Sequence, residues 1–328
     1  MTSVVAPGVT TLGARRTPWA GLALLAAALA VYVVFPDRLS LASYVVVVAL
    51  FAVSLDVALG IAGIVTLGHA VFFGCGAYAA GLLARAGWPE PITGALAGGL
   101  VAAALAGVVG PFILRLTGLP LVMVTLAINV FAFEIAGKLT WITGGDDGLS
   151  NIDLAPVLGL FPFSFFGATQ YGYALAWLVV LFVLAQRFAA SPLGLTLRGI
   201  RENRVRTGLI GCSVIGHLAI AYAFSAFIAG IAGALLAQTT EFVGLEVLNV
   251  ETSIDVLIML VLGGAGQLYG GLLGAPVYLL VKEASKQWNP HAWAIVIGCL
   301  LIVVMLFARG GLYGVLAHVH RRFVTARR

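Results

Sequence analysis

Long apolar runs separated by short polar connections make up most of this sequence. A run of about 20 apolar residues is long enough to cross a bilayer as a helix, which satisfies its own backbone hydrogen bonds in lipid. The pattern therefore predicts an all-α polytopic membrane protein with about ten transmembrane or half-membrane helices. The runs cover approximately residues 19–35, 39–59, 70–84, 91–114, 119–137, 170–189, 214–238, 253–265, 268–284 and 291–308.

Residues 191–211 form the longest polar stretch in the chain and read SPLGLTLRGIRENRVRTGLIG. A capping serine, a proline at the first helical position, an apolar face and terminal glycines predict a helix here. Arginines and Glu202 fill the remaining positions, so we expect an amphipathic helix outside the hydrocarbon that contacts another surface. The residues that indicate the helix are Ser191, Pro192, Leu193, Leu197, Ile200, Gly208 and Gly211.

The distribution of charge indicates how the helices are oriented, since basic residues concentrate on the cytoplasmic side. Ten crossings with both termini in the cytoplasm place most of the 18 Lys and Arg residues inside. A single crossing through 253–284 would move the tail outside and divide the basic residues more evenly. The predicted organisation is a cytoplasmic segment 1–18, a transmembrane domain 19–310 that contains the helix 191–211, and a basic cytoplasmic tail 311–328.

Composition excludes several classes of protein. A soluble domain of this size does not have 61% hydrophobic and only 9% charged residues, and a net charge of +5 does not indicate a nucleic-acid partner. The three cysteines lie far apart with no CxxC pair, so neither a disulfide framework nor a metal site is predicted. Arg15 and Arg16 precede the first apolar run as in a signal peptide. Because no cleavage-like site follows, we expect an uncleaved first span.

No motif for catalysis or nucleotide binding occurs in the sequence. The patterns GxxxxGK[ST], HExxH and GxSxG are all absent. The chain is therefore expected to be neither an enzyme nor a cofactor-binding protein. A membrane enzyme that uses His69 and Asp56 is a weak alternative without a nucleophile–base pair. Asp56 is instead predicted to cap the irregular backbone that follows it.

Polar groups within apolar runs are candidates for a solute pathway, because such groups are costly to place in lipid. Each also has a structural alternative: a histidine satisfied by a carbonyl, a hydroxyl bonded to its own helix, and Glu134 paired with Lys138. An ATP-independent carrier or channel remains an alternative from a different class, although partners for a proton or sodium relay are not evident. The predicted pathway residues are His69, Phe72, Thr125, Asn129 and Glu134.

Two glycine-rich stretches, 60–78 and 262–275, interrupt the apolar runs, one in each half of the chain. Transporters place solute contacts at broken helices, whereas glycines three or four residues apart also allow helices to pack closely. Packing is the favoured role for most of these glycines. The acidic connection 140–153 is predicted to be either a docking surface or a solvated link.

Six pieces of the sequence, in this order, resemble the permease subunits of branched-chain amino acid ABC transporters, and more closely their LivM-like members. The resemblance covers about residues 41 to 313. Its pieces are LGHAVFFGCGAY (67–78), TLA (125–127), LTWITGGDDGL (139–149), SPLGLTLRGIREN (191–203), AFSAFIAGIAGALLA (223–237) and VLGGAGQLYGGLLGA (261–275).

This resemblance implies a multi-pass protein of the bacterial inner membrane that moves branched-chain amino acids or similar small amphipathic solutes into the cell. Its implied partners are a second related permease, two cytoplasmic ATPase subunits that supply ATP hydrolysis, and a periplasmic or extracellular solute-binding protein. Relatives that handle urea, short amides or aromatic and other organic acids leave those solutes as alternatives.

The resemblance also assigns a role to the helix 191–211. It would be the coupling helix, with its apolar face in a groove of the ATPase and its arginines on acidic groups. Arg204 stands where the family usually has an acidic residue, which predicts one further acidic contact on the ATPase. The coupling residues carried over are Ser191, Gly194, Arg198, Arg201, Glu202 and Asn203, together with Arg204.

Overall fold

The structure is a computed structural model that describes residues 32, 38–150, 152–157, 159, 161, 167–288, 293–307 and 310–314. The predicted segment 1–18, almost all of the first span 19–35 and the tail beyond residue 314 lie outside these residues. Within them the chain is helical, with isolated β-bridges at Leu149–Val243 and Val157–Phe161 and no extended sheet.

The helices begin and end close to the edges of the apolar runs, which confirms the prediction of an all-α polytopic membrane protein. In the described part of the chain, five of them are long and apolar enough to cross a membrane: α1 with its extension, α3, α4, α6 and α9. The helices are α1 (Leu39–Leu55), extended by a π-helix (Asp56–Ile61), α2 (His69–Arg85), α3 (Pro91–Ile113), α4 (Leu119–Lys138), α5 (Thr140–Thr143), α6 (Ala168–Ala190), α7 (Pro192–Glu202), α8 (Arg204–Leu209), α9 (Val214–Thr240), α10 (Val250–Gly263), α11 (Tyr269–Trp288) and α12 (Trp293–Phe307).

Helices α1 and α9 form the centre of the bundle and are its most buried spans. Helix α9 packs against α1, α2 and α3, while α6 and α11 also pack against α1. Helix α4 lies at the periphery, where only a narrow stripe of it contacts α2 and its neighbours. The apolar outer surface of these spans is thus supplied mainly by α3, α4 and α6.

Glycines allow α2, α3 and α9 to touch through their backbones. A Cβ at Gly233 would lie 1.8 Å from the carbonyl oxygen of Phe73, and one at Gly76 would lie 2.1 Å from that of Gly230. A Cβ at Gly98 would lie 2.7 Å from the carbonyl oxygen of Gly76. The packing role favoured for glycine is confirmed at Gly76, because no larger residue fits there.

Both glycine-rich interruptions are turns between antiparallel helices rather than breaks within one span. Phe51 packs on Phe73 at 4.4 Å between ring centroids, while Ser54 lies 2.9 Å from the ring of His69, so α1 and α2 run antiparallel. Helices α10 and α11 do the same, because Asp255 bonds Tyr278 whereas Gly263 lies against Gly270. We call residues 62–68 turn A and residues 264–268 turn B.

Candidate functional site

The polar stretch 191–211 forms two helices, α7 and α8, and not the single helix predicted to end at Gly208 or Gly211. As predicted, Ser191 caps α7: its Oγ accepts a hydrogen bond from the Gly194 N–H at 3.3 Å. Asn203 is extended, and its Oδ1 accepts from the N–H of Arg206 at 2.9 Å. The prediction of one helix is wrong because this asparagine side chain starts a second one.

The apolar face of α7 packs on this chain's own spans. Leu197 and Ile200 are buried in the core, and Leu193 packs against it. The expectation that this face would be free to enter a partner's groove is therefore wrong, since its burial within the chain already removes it from water. Other apolar side chains of the same segment are exposed instead: Leu195, Val205, Leu209 (83%) and Ile210 (81%).

Arg201 of α7 reaches both turns. Its guanidinium donates to the carbonyl oxygen of Gly60, at the end of the π-helix that leads into turn A. Gly63, at φ +74°, lies so close that a Cβ there would come within 2.8 Å of the Arg201 Cγ. A Cβ at Gly266 in turn B would lie 3.3 Å from the Arg201 Nη1. One side chain of the segment 191–211, which we call the coupling segment after its predicted role, thus lies beside the turns of both hairpins.

Asp56 ties the two turns together beneath Arg201. Its carboxylate is fully buried, and Oδ1 and Oδ2 accept hydrogen bonds from the N–H groups of Gly266 and Leu268, each at 2.6 Å. Asp56 was predicted to cap the backbone that follows it, and it caps turn B instead. The π-helix allows this because it turns the carboxylate toward the other hairpin, where Gly60 leaves room for it. We call Asp56, Gly60, Arg201, Gly266 and Leu268 the clasp.

Leu268 has a left-handed backbone with φ +57°. A non-glycine residue in this region carries about 1 kcal/mol or more of strain. The hydrogen bond from its N–H to the Asp56 carboxylate is charge-assisted and offsets that strain. The clasp therefore also stabilises the conformation of turn B.

The other predicted coupling residues make contacts within the chain or face solvent. Arg198 donates to the Ala189 carbonyl at 3.3 Å, and Glu202 is exposed. Arg204 donates to the carbonyls of Leu114 and Leu116, just past the end of α3. Burial lowers the pKa of the Arg204 guanidinium below its ordinary value. Arg204 thus binds the end of a helix, where partial negative charge accumulates.

His69 starts α2 and is fully buried. Its Nε2 lies 2.9 Å from Oγ of Ser54, and that hydroxyl donates its one proton to the Phe51 carbonyl at 2.6 Å. Nε2 must therefore carry the proton and donate to Ser54, which leaves Nδ1 as an acceptor with no partner among the described residues. The ring of His69 was expected to bond a backbone carbonyl, and it bonds the hydroxyl of Ser54 instead.

Four of the predicted pathway residues lie on α2 and α4, which pack against each other. Phe72 packs edge-on against His69 at 5.8 Å between ring centroids. Thr125 accepts from the Leu67 N–H at 3.2 Å, next to the start of α2, and its hydroxyl also bonds its own helix as expected. Asn129, one turn further along the buried stripe of α4, is 0% exposed, and neither of its amide atoms has a described partner.

Glu134 does not lie with the other four predicted pathway residues. Its side chain is exposed on the outer part of α4, and no ion pair joins it to Lys138 in the described structure. The 3.6-residue period explains the difference, because Asn129 and Glu134 are five residues apart and project in different directions.

Sequence reasoning missed the serines that hold this region in place. Ser54 binds His69, and Ser253 of α10 accepts from the Ala70 N–H at 2.9 Å, so it caps α2 from a distant helix. Serine within an apolar run was the available signal. Its partner was not predictable, because the contact crosses 183 residues.

The acidic connection 140–153 is held against the segment after α9. Leu149 and Val243 exchange two backbone hydrogen bonds at 2.8 and 3.0 Å, while Asp146, Asp147 and Trp141 remain exposed. The connection is therefore held by this bridge and presents acidic and aromatic groups to its surroundings.

Comparison with known proteins identifies the family. The model of the family described as "Branched-chain amino acid transport system / permease component" matches residues 38–305. The chain is 29% identical over 314 residues to the high-affinity branched-chain amino acid transport system permease protein LivM of Salmonella typhimurium, covering 89% of this chain and 73% of that one. The Escherichia coli LivM is 29% identical over 303 residues, covering 86% and 71%.

A third relative matches over a shorter region. The probable branched-chain amino acid transport permease protein LivM of Methanocaldococcus jannaschii is 26% identical over 147 residues, covering 43% of this chain and 40% of that one. No solved structure matches. The matched region runs from the start of α1 almost to the end of α12, so it contains both turns, the clasp and the segment 191–211. The chain therefore belongs to the family of branched-chain amino acid transport system permease components, and it is a multi-pass membrane protein.

Proposed function

We propose that this chain is a permease subunit of an ABC importer for branched-chain amino acids or similar small amphipathic solutes. The solute class is supported by the names of the LivM relatives. Its partners would be a second related permease, two cytoplasmic ATPase subunits that hydrolyse ATP, and an external solute-binding protein. Urea, short amides and organic acids remain alternative solutes within the family.

The clasp is the observation that carries this proposal. An importer without its own ATP site needs a rigid link between the surface that meets the ATPase and the helices that open. Arg201 supplies such a link, because it lies on α7 and donates to Gly60 beside turn A. Asp56 extends the link to turn B through Gly266 and Leu268. Movement of α7 would then shift both hairpins together as a rigid body.

The exposed apolar side chains of the segment 191–211 would meet the ATPase. Leu195, Val205, Leu209 and Ile210 are all more than half exposed on a segment that the proposal places outside the membrane. Exposed apolar groups ringed by charge are typical of docking surfaces. In this arrangement Ser191, Gly194 and Asn203 shape the two helices, Arg198, Arg201 and Arg204 attach them to the spans, and Glu202 faces the partner.

The solute would pass beside α2 and α4. Among the described residues, neither the Asn129 amide nor Nδ1 of His69 has a partner, so each has hydrogen-bonding capacity left for a solute or water. Phe72 and Thr125 would shape the same surface. Glu134 faces outward from α4 and would contact the second permease.

Reconstitution with the candidate ATPases tests the proposal. Vesicles that contain the two permeases, the ATPases and the binding protein should accumulate leucine only with ATP, and the permease alone should not. ATP-independent accumulation driven by a proton or sodium gradient would contradict the proposal.

A pull-down tests the docking surface separately. The double variant Leu209→Gln with Ile210→Gln should lose co-purification with the ATPase, whereas Trp141→Gln, an exposed aromatic in the 140–153 connection, should retain it. Unchanged co-purification of the double variant would place the ATPase elsewhere.

A further inference from the structure

A cavity of about 180 Å³ lies between turn A, the start of α4 and the coupling segment. It borders the clasp, because Arg201 is one of its lining residues, but it lies apart from Asn129 and His69. Its walls include residues from α7, α8 and α9 as well as turn A, so a molecule bound there would touch the parts that the proposed function requires to move. The residues that give it its chemistry are Ile64, Leu121, Ile200, Arg201, Arg204 and Leu218.

Two positive charges and, among the described lining residues, no negative charge face this cavity. Arg201 and Arg204 both line it, and none of the described lining residues carries a carboxylate. Their hydrogen bonds go to the carbonyls of Gly60, Leu114 and Leu116, which are neutral groups. Within the described residues no carboxylate oxygen lies within 4.0 Å of either guanidinium.

Both guanidinium groups retain N–H donors, because each has five and uses only one or two. The nearby Asp56 carboxylate accepts from turn B, and no ion pair within 4.0 Å joins it to either guanidinium in the described structure. A planar anion that accepts two parallel hydrogen bonds is the group that guanidinium binds best.

The remaining walls are aliphatic. Ile64, Leu121, Ile200 and Leu218 face the same space as the arginines. Such walls favour a ligand with a short branched hydrocarbon part, and the absence of a lining carboxylate disfavours an ammonium group.

We propose that this cavity binds a small aliphatic carboxylate that lacks an amino group. Its carboxylate lies between Arg201 and Arg204, and its hydrocarbon part lies against Leu121 and Leu218. The ligand bridges the coupling segment and turn A, so its concentration on that side of the membrane regulates the coupling movement. This regulatory role rests on the proposed function, whereas the binding itself does not.

Titration calorimetry on the full chain in lipid nanodiscs tests the binding without any ATPase, so failure of the importer assignment leaves this measurement intact. The probes are 4-methylpentanoate, its uncharged amide, leucine and inorganic phosphate. We expect saturable binding of 4-methylpentanoate, and at least about tenfold weaker binding of the amide because the charged hydrogen bonds are lost. Phosphate lacks the hydrocarbon part and leucine adds an unpaired ammonium, so both should bind more weakly.

Variants locate the site. Arg204→Gln should weaken 4-methylpentanoate at least about tenfold, whereas Arg206→Gln, an exposed arginine that does not line the cavity, should not. Leu121→Trp fills the cavity, keeps both arginines and should abolish binding. Equal binding of the amide or of phosphate would overturn the proposal, the latter by indicating a general anion or lipid-headgroup site. Full binding by Leu121→Trp would overturn it too.

Discussion

Asp56 and Gly266 are 210 residues apart in the chain, yet Oδ1 of the first accepts a hydrogen bond from the backbone N–H of the second at 2.6 Å. A second bond of the same length joins the other carboxylate oxygen to Leu268. The turns of two helical hairpins are therefore fixed to each other by one buried side chain. The contact explains why an acidic residue is placed inside an apolar run.

Asp56→Asn tests this link. An amide offers one acceptor where the carboxylate offers two, so one N–H of turn B would face an NH₂ group and remain unsatisfied. We expect a loss of about 1.5–3 kcal/mol in stability together with reduced transport. Thermal unfolding in detergent and uptake in vesicles measure the two effects. As a control, Asp153→Asn at an exposed position should change stability by less than about 0.5 kcal/mol. An Asp56→Asn variant as stable as the unchanged protein would contradict the link.

Arg201→Glu should uncouple ATP hydrolysis from transport. The glutamate cannot donate to the Gly60 carbonyl and would repel the Asp56 carboxylate, so α7 would lose its hold on both turns. We expect uptake to fall about tenfold while ATP hydrolysis by the assembled complex continues, a size typical of coupling between sites.

Two companion variants support the interpretation of Arg201→Glu. Arg201→Lys keeps the charge and should give an intermediate rate of uptake. The donors of lysine all lie on one nitrogen, whereas those of arginine form a planar fork. Arg187→Glu, an exposed charge at the end of α6, should leave coupling unchanged. Normal uptake in Arg201→Glu would rule out a role for this side chain in transmission.

Asn129→Leu should separate stability from transport. A buried amide that lacks partners, as the Asn129 amide does among the described residues, costs about 1–3 kcal/mol, so the leucine variant should unfold at a higher temperature. Uptake should fall, because the hydrogen-bonding group on the proposed pathway is gone. Val130→Ala on the exposed side of α4 should affect uptake little. A variant that gains stability and keeps full uptake would remove Asn129 from the pathway.

Gly233→Ala should destabilise the bundle strongly. Its Cβ would lie 1.8 Å from the carbonyl oxygen of Phe73, so α2 and α9 would have to separate. We expect a loss of about 3 kcal/mol from this overpacking. Gly107→Ala provides a matched control, because nothing lies within 4 Å of a Cβ there. It should gain about 0.5–1 kcal/mol, since alanine favours a helix, and thermal unfolding measures both variants.

The helices were largely predictable because their signal is local. The apolar run 214–238 corresponds to α9 at Val214–Thr240, and the run 119–137 to α4 at Leu119–Lys138. Length and composition decide such elements in lipid without knowledge of their neighbours. The prediction for residues 191–211 is less accurate, because a single helix places Asn203 at an internal position, whereas its side chain caps a second helix.

The contacts of the candidate site were not predictable in the same way. The spacing along α7 indicated an apolar face, but it did not indicate whether Leu197 and Ile200 would meet a partner or this chain. Asp56 was recognised as a cap, but the backbone it caps lies in the other hairpin. Such pairings depend on how the helices assemble, which periodicity within one helix does not record.

The backbone contacts among α2, α3 and α9 also limit how this protein can move. Helices separated by side chains can slide past each other, because the side chains between them change rotamer. The helices that meet at Gly76, Gly98 and Gly233 are in direct backbone contact, so no side chain lies between them to change rotamer. We therefore expect these three helices to move as one rigid body. Because Asp56 ties turn B to the first hairpin, we expect a displacement of α7 to carry the α10–α11 hairpin along with these three helices.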